Sequence, residues 1–367
     1  MDALFPFGFP GPTRFYLALY VATLVLHVVF MHYVLAGTAF LAGRGLLARL
    51  GIDTERPAYL LREWMPLMLS AAITAGIAPL LFVQIVYQER FYTANLLLFN
   101  RWMAILPTLL IGFYMLYLLK VNADVLKRPL IRQAIRVLTF VCFAFVAWSW
   151  TENHLLSVQS LGVWTEHYAS GALMFKTPEL APRLALWFCG SFPTLAAWLA
   201  WQIRLTATDD EHREIDHPSV ARLLAGIGLV GLLSAALCAA AYYAMLGDAE
   251  RDLMTGPLTG PWFIIAIVGA VIQSAGWIVI WKQNALPRGL LLIVSIALLV
   301  TLCGTAVVRE AIRLARVDIT TLYNAHTQAA AVSGLGAFVF FLVVNTALML
   351  FCIRLVRTKV ESRGTRV

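Results

Sequence analysis

Nine stretches of the sequence stay apolar for about 20 residues or more, the length a helix needs to cross a hydrocarbon core about 30 Å thick. They run at 14–42, 66–88, 102–121, 134–156, 181–203, 221–247, 260–282, 287–308 and 327–355, each bounded by charge, Pro or Gly. Backbone in lipid must satisfy its own hydrogen bonds, so these segments are expected to be helices. The expected fold is an all-α, polytopic membrane bundle of about nine spans, a single transmembrane domain over 1–367. Composition agrees: 60% of residues are hydrophobic and 13% charged, where a soluble domain carries roughly 25% charged residues. That excludes an ordinary cytoplasmic or secreted enzyme. The opening Met-Asp-Ala-Leu-Phe-Pro-Phe-Gly-Phe-Pro lacks the basic region and small-residue cleavage site of a signal peptide. The first apolar run is therefore expected to remain in the mature protein.

The net charge of +8 is a statement about topology. Alternating the connections puts 19 of the 28 basic residues on one side: Arg44, Arg49, Arg56 and Arg62; Lys120, Lys127, Arg128, Arg132 and Arg136; Arg204, Arg213 and Arg222; Lys282 and Arg288; Arg354, Arg357, Lys359, Arg363 and Arg366. The positive-inside rule then expects the N-terminus outside and the C-terminus in the cytoplasm. The acids divide evenly, ten to a side, so the outer side is nearly neutral and nothing in the charge suggests nucleic acid as a partner. The longest polar stretch, Thr206 to Ser219, reads as a solvated cytoplasmic connector. The outer connection at about 152–180 mixes Glu152, His154, Trp164, Glu166, His167 and Tyr168. Its aromatics fit a membrane-interface belt, and its imidazoles suit either a partner or the edge of a cofactor.

Cys142, Cys189, Cys238, Cys303 and Cys352 are isolated in apolar runs. No CxxC pair exists for zinc and no CxxCH for covalent haem, so they read as small hydrophobes.

Ionisable residues inside a bilayer are costly and functional by default. The first span carries His27 and His32, five residues apart, so their side chains diverge by roughly 140° around the helix. They cannot share one metal, and each needs a partner from another helix. His27 suits the axial position of a non-covalent haem, whose iron accepts a neutral imidazole nitrogen; the competing reading is a buried imidazole bonded to a carbonyl. Residues 307–317 hold a second group at the end of the eighth span. Glu310 and Arg313 have the i, i+3 spacing of neighbours on one helical face, with Arg309 and Arg316 beside them. A carboxylate among three guanidiniums is expected to be ionised. The cluster suits an anionic ligand or an interfacial salt-bridge network. His326, with Tyr323, Asn324 and Gln328, opens the ninth span. Gly76-Ile-Ala-Pro79 and Gly190-Ser-Phe-Pro193 are expected to interrupt the second and fifth spans.

The nine-span plan, the histidine of the first helix and the run Gly304-Thr-Ala-Val-Val-Arg-Glu310-Ala-Ile-Arg313-Leu-Ala-Arg resemble subunit I of cytochrome bd-type quinol oxidases, whose eighth span ends in a Glu-x-x-Arg element. The opening helix, Arg14-Phe-Tyr-Leu-Ala-Leu-Tyr through His27 to Gly37-Thr-Ala-Phe, is similar as well. The resemblance implies a bacterial cytoplasmic (inner) membrane protein. It implies His27 as ligand of a high-spin haem b, Glu310 as a carboxylate at a haem iron and Arg313 as the partner of a haem propionate. His27 and Glu310 are then the metal-binding residues, with Arg309, His32 and His326 as further cofactor-binding candidates. It also implies a place in a quinol-oxidising oxidoreductase complex. Such a subunit would pass electrons between the quinone pool and an outer-face acceptor, with other redox subunits such as a periplasmic cytochrome c as partners and membrane lipid around it.

The chain departs from that family where the low-spin haem would be held. The fifth span offers Leu186-Trp187-Phe188-Cys189-Gly190 without a histidine, and the seventh offers Trp262 to Gly269 without a methionine. The third span has no buried acids, and Asp248 to Thr259 is too short for a quinol-binding loop. Oxygen reduction by a three-haem route is therefore not expected. Two rival readings follow from the same residues: a haem-free structural or quinone-binding subunit that anchors a redox partner, and a solute transporter built on broken helices.

Overall fold

A computed structural model of the chain describes residues 8–121, 124–206, 218–332 and 335–364. The connector expected between Thr206 and Ser219 lies almost entirely outside these residues. Twelve α-helices and no strand occur among the described residues. They are α1 (Gly11–Arg49), α2 (Glu55–Leu97), α3 (Phe99–Val121), α4 (Pro129–Ser157), α5 (Leu161–Ser170), α6 (Leu180–Thr206), α7 (Pro218–Met245), α8 (Asp248–Thr255), α9 (Gly260–Gln283), α10 (Arg288–Arg316), α11 (Tyr323–Val332) and α12 (Leu335–Gly364).

Eight of them, α1, α2, α3, α4, α6, α7, α9 and α10, are long and apolar enough to cross a membrane. The protein is an all-α polytopic membrane bundle. The ninth expected span, 327–355, is not one straight helix. It divides into Thr320–Val332 and Gly336–Leu348, inclined at 63°.

Consecutive spans pack as hairpins: α1 on α2, α3 on α4, α6 on α7 and α9 on α10. The first helix is the hub, touching α2, α4, α6, α10 and α11, and it is buried over most of the stretch from Val34 to Leu41. One large apolar core joins Tyr33, Leu61, Met65, Leu199 and Trp277. A second, toward the end of the bundle that carries the N-terminus, joins Tyr16, Leu17, Val86, Tyr87 and Phe91. The outward faces of α3, α7 and α9 leave Leu110, Leu233 and Val271 exposed, an arrangement suited to lipid and adverse in water. Gly304 of α10 faces α9 so closely that a Cβ there would lie 2.6 Å from the carbonyl oxygen of Trp262 and 2.9 Å from Ala266. Small residues permit such backbone approach between membrane helices.

Three expectations change. Pro79 and Pro193 lie within continuous helices, as membrane helices allow when neighbours take up the freed polar groups. The break in α2 falls instead at Gln88, whose φ of 22° and ψ of −106° leave the helical region. The eighth span does not stop at 308 either: α10 continues to Arg316, so the arginine run is helical and its side chains are spaced by the helix. Glu152 and His154, where the expected span 134–156 and the expected connection 152–180 overlap, belong to the last turns of α4.

Candidate functional site

The C-terminal turns of α10 carry Arg309, Arg313 and Arg316 at i, i+4 and i+7, one stripe of a helix with 3.6 residues per turn. Glu310 stands about 100° away from Arg309 and is fully buried, while Arg313 is 3% exposed. The stripe meets the ends of several other helices, because every second helix end lies on the face of the bundle that carries the N-terminus.

Glu310 is held from two sides. The hydroxyl of Tyr87 donates to one carboxylate oxygen, and Arg309 Nη1 lies 3.4 Å from the other. Both oxygens act as acceptors. The expected Glu310–Arg313 neighbour pair is not made directly. Arg313 instead stacks its guanidinium 3.6 Å from the centre of the Tyr87 ring and reaches Ser157 Oγ at 3.3 Å. Tyr87 thus serves one charge with its hydroxyl and another with its face.

Arg309 extends the network to two more helices. Its Nη1 donates to the Tyr20 hydroxyl at 3.2 Å, and its Nη2 donates to His154 Nδ1 at 3.1 Å. A guanidinium only donates, so Nδ1 is the acceptor and the His154 ring is neutral with its proton on Nε2. Arg183 of α6 is 5% exposed. It stands 3.4 Å from the Tyr242 hydroxyl with its guanidinium 5.7 Å from that ring. Arg316 closes the outer edge, holding Glu179 and Glu250 at 2.9 Å each. Glu250 lies outside the spans. Burial pushes its carboxyl up, but the hydrogen bond and charge of Arg316 outweigh that and hold it below its ordinary value.

The histidines of the first span lie elsewhere. His27 Nδ1 is 2.9 Å from the Ala72 carbonyl; a carbonyl only accepts, so Nδ1 carries the proton and Nε2 keeps its lone pair. The ring packs on Gly76, where a Cβ would come within 3.0 Å of it. On α2, Ala72 and Gly76 precede Tyr87 by 15 and 11 residues, about 16–22 Å of helical rise. Ligand bonds are about 2 Å long, so His27 and Glu310 do not ligate one metal atom. Among the described residues no group of three or more His, Cys, Asp or Glu is arranged to hold a metal ion.

His32 is 1% exposed, with Nδ1 3.1 Å from Thr194 Oγ1, its ring 6.0 Å from Trp187 and Nε2 buried without a partner. His326 is committed on both sides. Nε2 donates to the Val86 carbonyl at 3.3 Å, and Nδ1 lies 2.8 Å from the Thr13 hydroxyl. His326 thereby ties α11 to α1 and to the stretch of α2 just before the break at Gln88.

Sequence reasoning placed Arg309, Glu310, Arg313 and Arg316 together and missed Tyr20, Tyr87, Ser157 and Arg183. It also missed a neighbouring buried group, in which Glu152 pairs with Arg101 and accepts the Phe175 backbone N–H at 2.6 Å. Glu152 and His154 fall inside the expected span 134–156 and Arg183 inside 181–203. Their presence in apolar runs was the available signal. Comparison with protein-family models, with curated proteins and with solved structures finds no match for this chain.

Proposed function

We propose that this protein is a membrane subunit that binds a non-covalent b-type haem through His27 and takes part in electron transfer between the quinone pool and an acceptor at the outer face. The observation that carries the reading is the state of His27. Its Nδ1–H is spent on the Ala72 carbonyl, which leaves Nε2 as the ring's ligand atom, as in metal-bound imidazoles oriented by a second hydrogen bond. Gly76 leaves room for the ring against α2. The donor therefore fits a haem iron, and a bound haem would supply the one-electron chemistry that side chains do not provide. Ala72 orients the ligand. The excess of Lys and Arg at the opposite end supports an outside N-terminus, and the resemblance supports a bacterial cytoplasmic membrane and a periplasmic cytochrome c as acceptor.

The test is pyridine hemochrome analysis with an optical spectrum of the purified protein. Stoichiometric haem with a Soret band that is lost or shifted in His27→Ala is expected. A folded wild-type protein without haem would overturn the reading. That result would favour a haem-free quinone-binding or anchoring subunit. Its support is that Glu310 and His326, two of the implied cofactor residues, already spend their polar atoms on Tyr87, Arg309, Thr13 and Val86.

A further inference from the structure

The cluster at the end of α10 carries more positive charge than its carboxylates balance. Arg309, Arg313 and Arg316 share the last turns of α10, and Arg183 joins them through Tyr242, which it contacts at the hydroxyl and whose ring packs on Val308 and Ile312 of the same helix. Against them stand Glu310, held by Arg309 and Tyr87, and Glu179 and Glu250, both on Arg316. Four guanidiniums against three carboxylates leave one uncompensated positive charge in a site where Arg183, Arg313, His154 and Glu310 are each less than a tenth exposed. An unpaired buried charge is strongly unfavourable.

The hydrogen-bond inventory points the same way. Each guanidinium has five N–H donors. Arg183 finds one acceptor, the Tyr242 hydroxyl at 3.4 Å. Arg313 finds Ser157 Oγ, and its Nε is buried with no partner. Of the neighbouring acceptors, His154 Nδ1 and the Tyr20 hydroxyl already serve Arg309. The side chains of Arg309, Arg316 and Glu179 remain 15–19% exposed, so the group is reached from the end of the bundle that carries the N-terminus.

We propose that Arg183 and Arg313 form the seat of one singly charged oxyanion, which completes the charge balance of the cluster. Planar guanidinium forks recognise such groups by paired N–H bonds. The same chemistry is offered by the phosphodiester of a phospholipid headgroup and by a small free anion such as formate or phosphate. The seat does not rest on the haem reading.

The experiment uses the full chain purified in detergent. Its melting temperature, read by tryptophan fluorescence, is followed during titration with sodium formate or inorganic phosphate, chloride holding the ionic strength constant. Native mass spectrometry reads retained phospholipid, and haem content is measured alongside. A saturable rise in melting temperature assigns the seat to a small anion. One retained phospholipid per chain, with no response to the free anions until lipid is stripped, assigns it to a phosphodiester. In either case Arg183→Gln should weaken the response by about tenfold or more, the loss of one charge-assisted hydrogen bond, and Arg183→Lys should restore part of it. Without added anion, Arg183→Gln should melt at or above the wild-type temperature, because it removes the surplus charge. The proposal fails if wild type shows neither response nor retained lipid, or if Arg183→Gln responds as wild type does. It fails also if Arg183→Gln lowers the melting temperature equally with and without anion, the mark of a structural brace. Loss of haem in step with the anion response would hand the seat to a haem carboxylate and overturn it too.

Discussion

Glu310→Gln tests the electrostatics of the cluster directly, because glutamine keeps the size and one acceptor of the side chain and removes only its charge. In the folded chain both carboxylate oxygens accept, one from Tyr87 and one from Arg309, in a fully buried position. Breaking a buried ion pair by removing one partner costs about 3–5 kcal/mol, since the other charge stays behind uncompensated. Here the surplus positive charge of the cluster doubles, so the upper half of that range is expected. Tyr87→Phe separates the hydrogen bond from the stacking: it keeps the ring under Arg313 and deletes the hydroxyl. Its cost should be about 1–3 kcal/mol, that of leaving a buried acceptor unsatisfied. The two changes share an interaction, so the double variant should fall short of their sum by about 0.5–3 kcal/mol. Unfolding in mixed micelles of dodecyl maltoside with rising SDS, followed by tryptophan fluorescence, reads all three. If Glu310→Gln costs less than about 0.5 kcal/mol, the range of an ordinary surface change, the carboxyl is neutral in the folded protein. The charge count of the cluster would then be wrong by one.

Two other substitutions probe the frame around the site. Gly304→Ala places a methyl 2.6 Å from the Trp262 carbonyl oxygen; backbone cannot swing aside as a side chain does, so α9 and α10 must part, at a cost of about 1–3 kcal/mol for overpacking. A melting temperature unchanged in Gly304→Ala would show that the two helices are not in backbone contact. For Glu250, the folded carboxyl lies below its ordinary value, so its stabilising pairing with Arg316 is complete above that ordinary value and is lost as pH falls through the lower, folded one. The melting temperature of Glu250→Gln should therefore fall less steeply on acidification than that of wild type, and equal slopes would refute the pairing.

The spans were legible because lipid leaves a chain few choices: the length of an apolar run and the need to satisfy its own backbone specify a helix before any tertiary contact is known. The arginines of α10 were legible as a group for a related reason, since residues 309–316 are close enough in sequence for one helix to align them. Tyr87, His154 and Arg183 were not assembled in advance. They come from α2, α4 and α6, and which side chains of different helices meet depends on the rotation and tilt of each helix, which packing sets. The break in α2 was misplaced by the same limitation. Pro79 carries the obvious local signal, yet the helix absorbs it, while Gln88 carries none and departs from helical geometry.

That departure lies beside the site and has a place in it. Non-helical geometry at a bulky residue persists only where the surroundings over-determine it, and the groups bonded just before Gln88 are unusual. The Val86 carbonyl is taken by His326 from a helix 240 positions away in sequence, and Tyr87 is turned so that its hydroxyl meets Glu310 and its face meets Arg313. His326 in turn fixes α11 to Thr13 of α1, so α1, α11 and the stretch of α2 before the break meet at one imidazole. Strain in the backbone and surplus charge in the side chains fall within a few residues of each other, the pattern proteins show where local preference has been overridden for a site. The end of the bundle around Tyr87, Arg183 and Glu310 is thus a second place, apart from His27, where a ligand of this protein is to be sought.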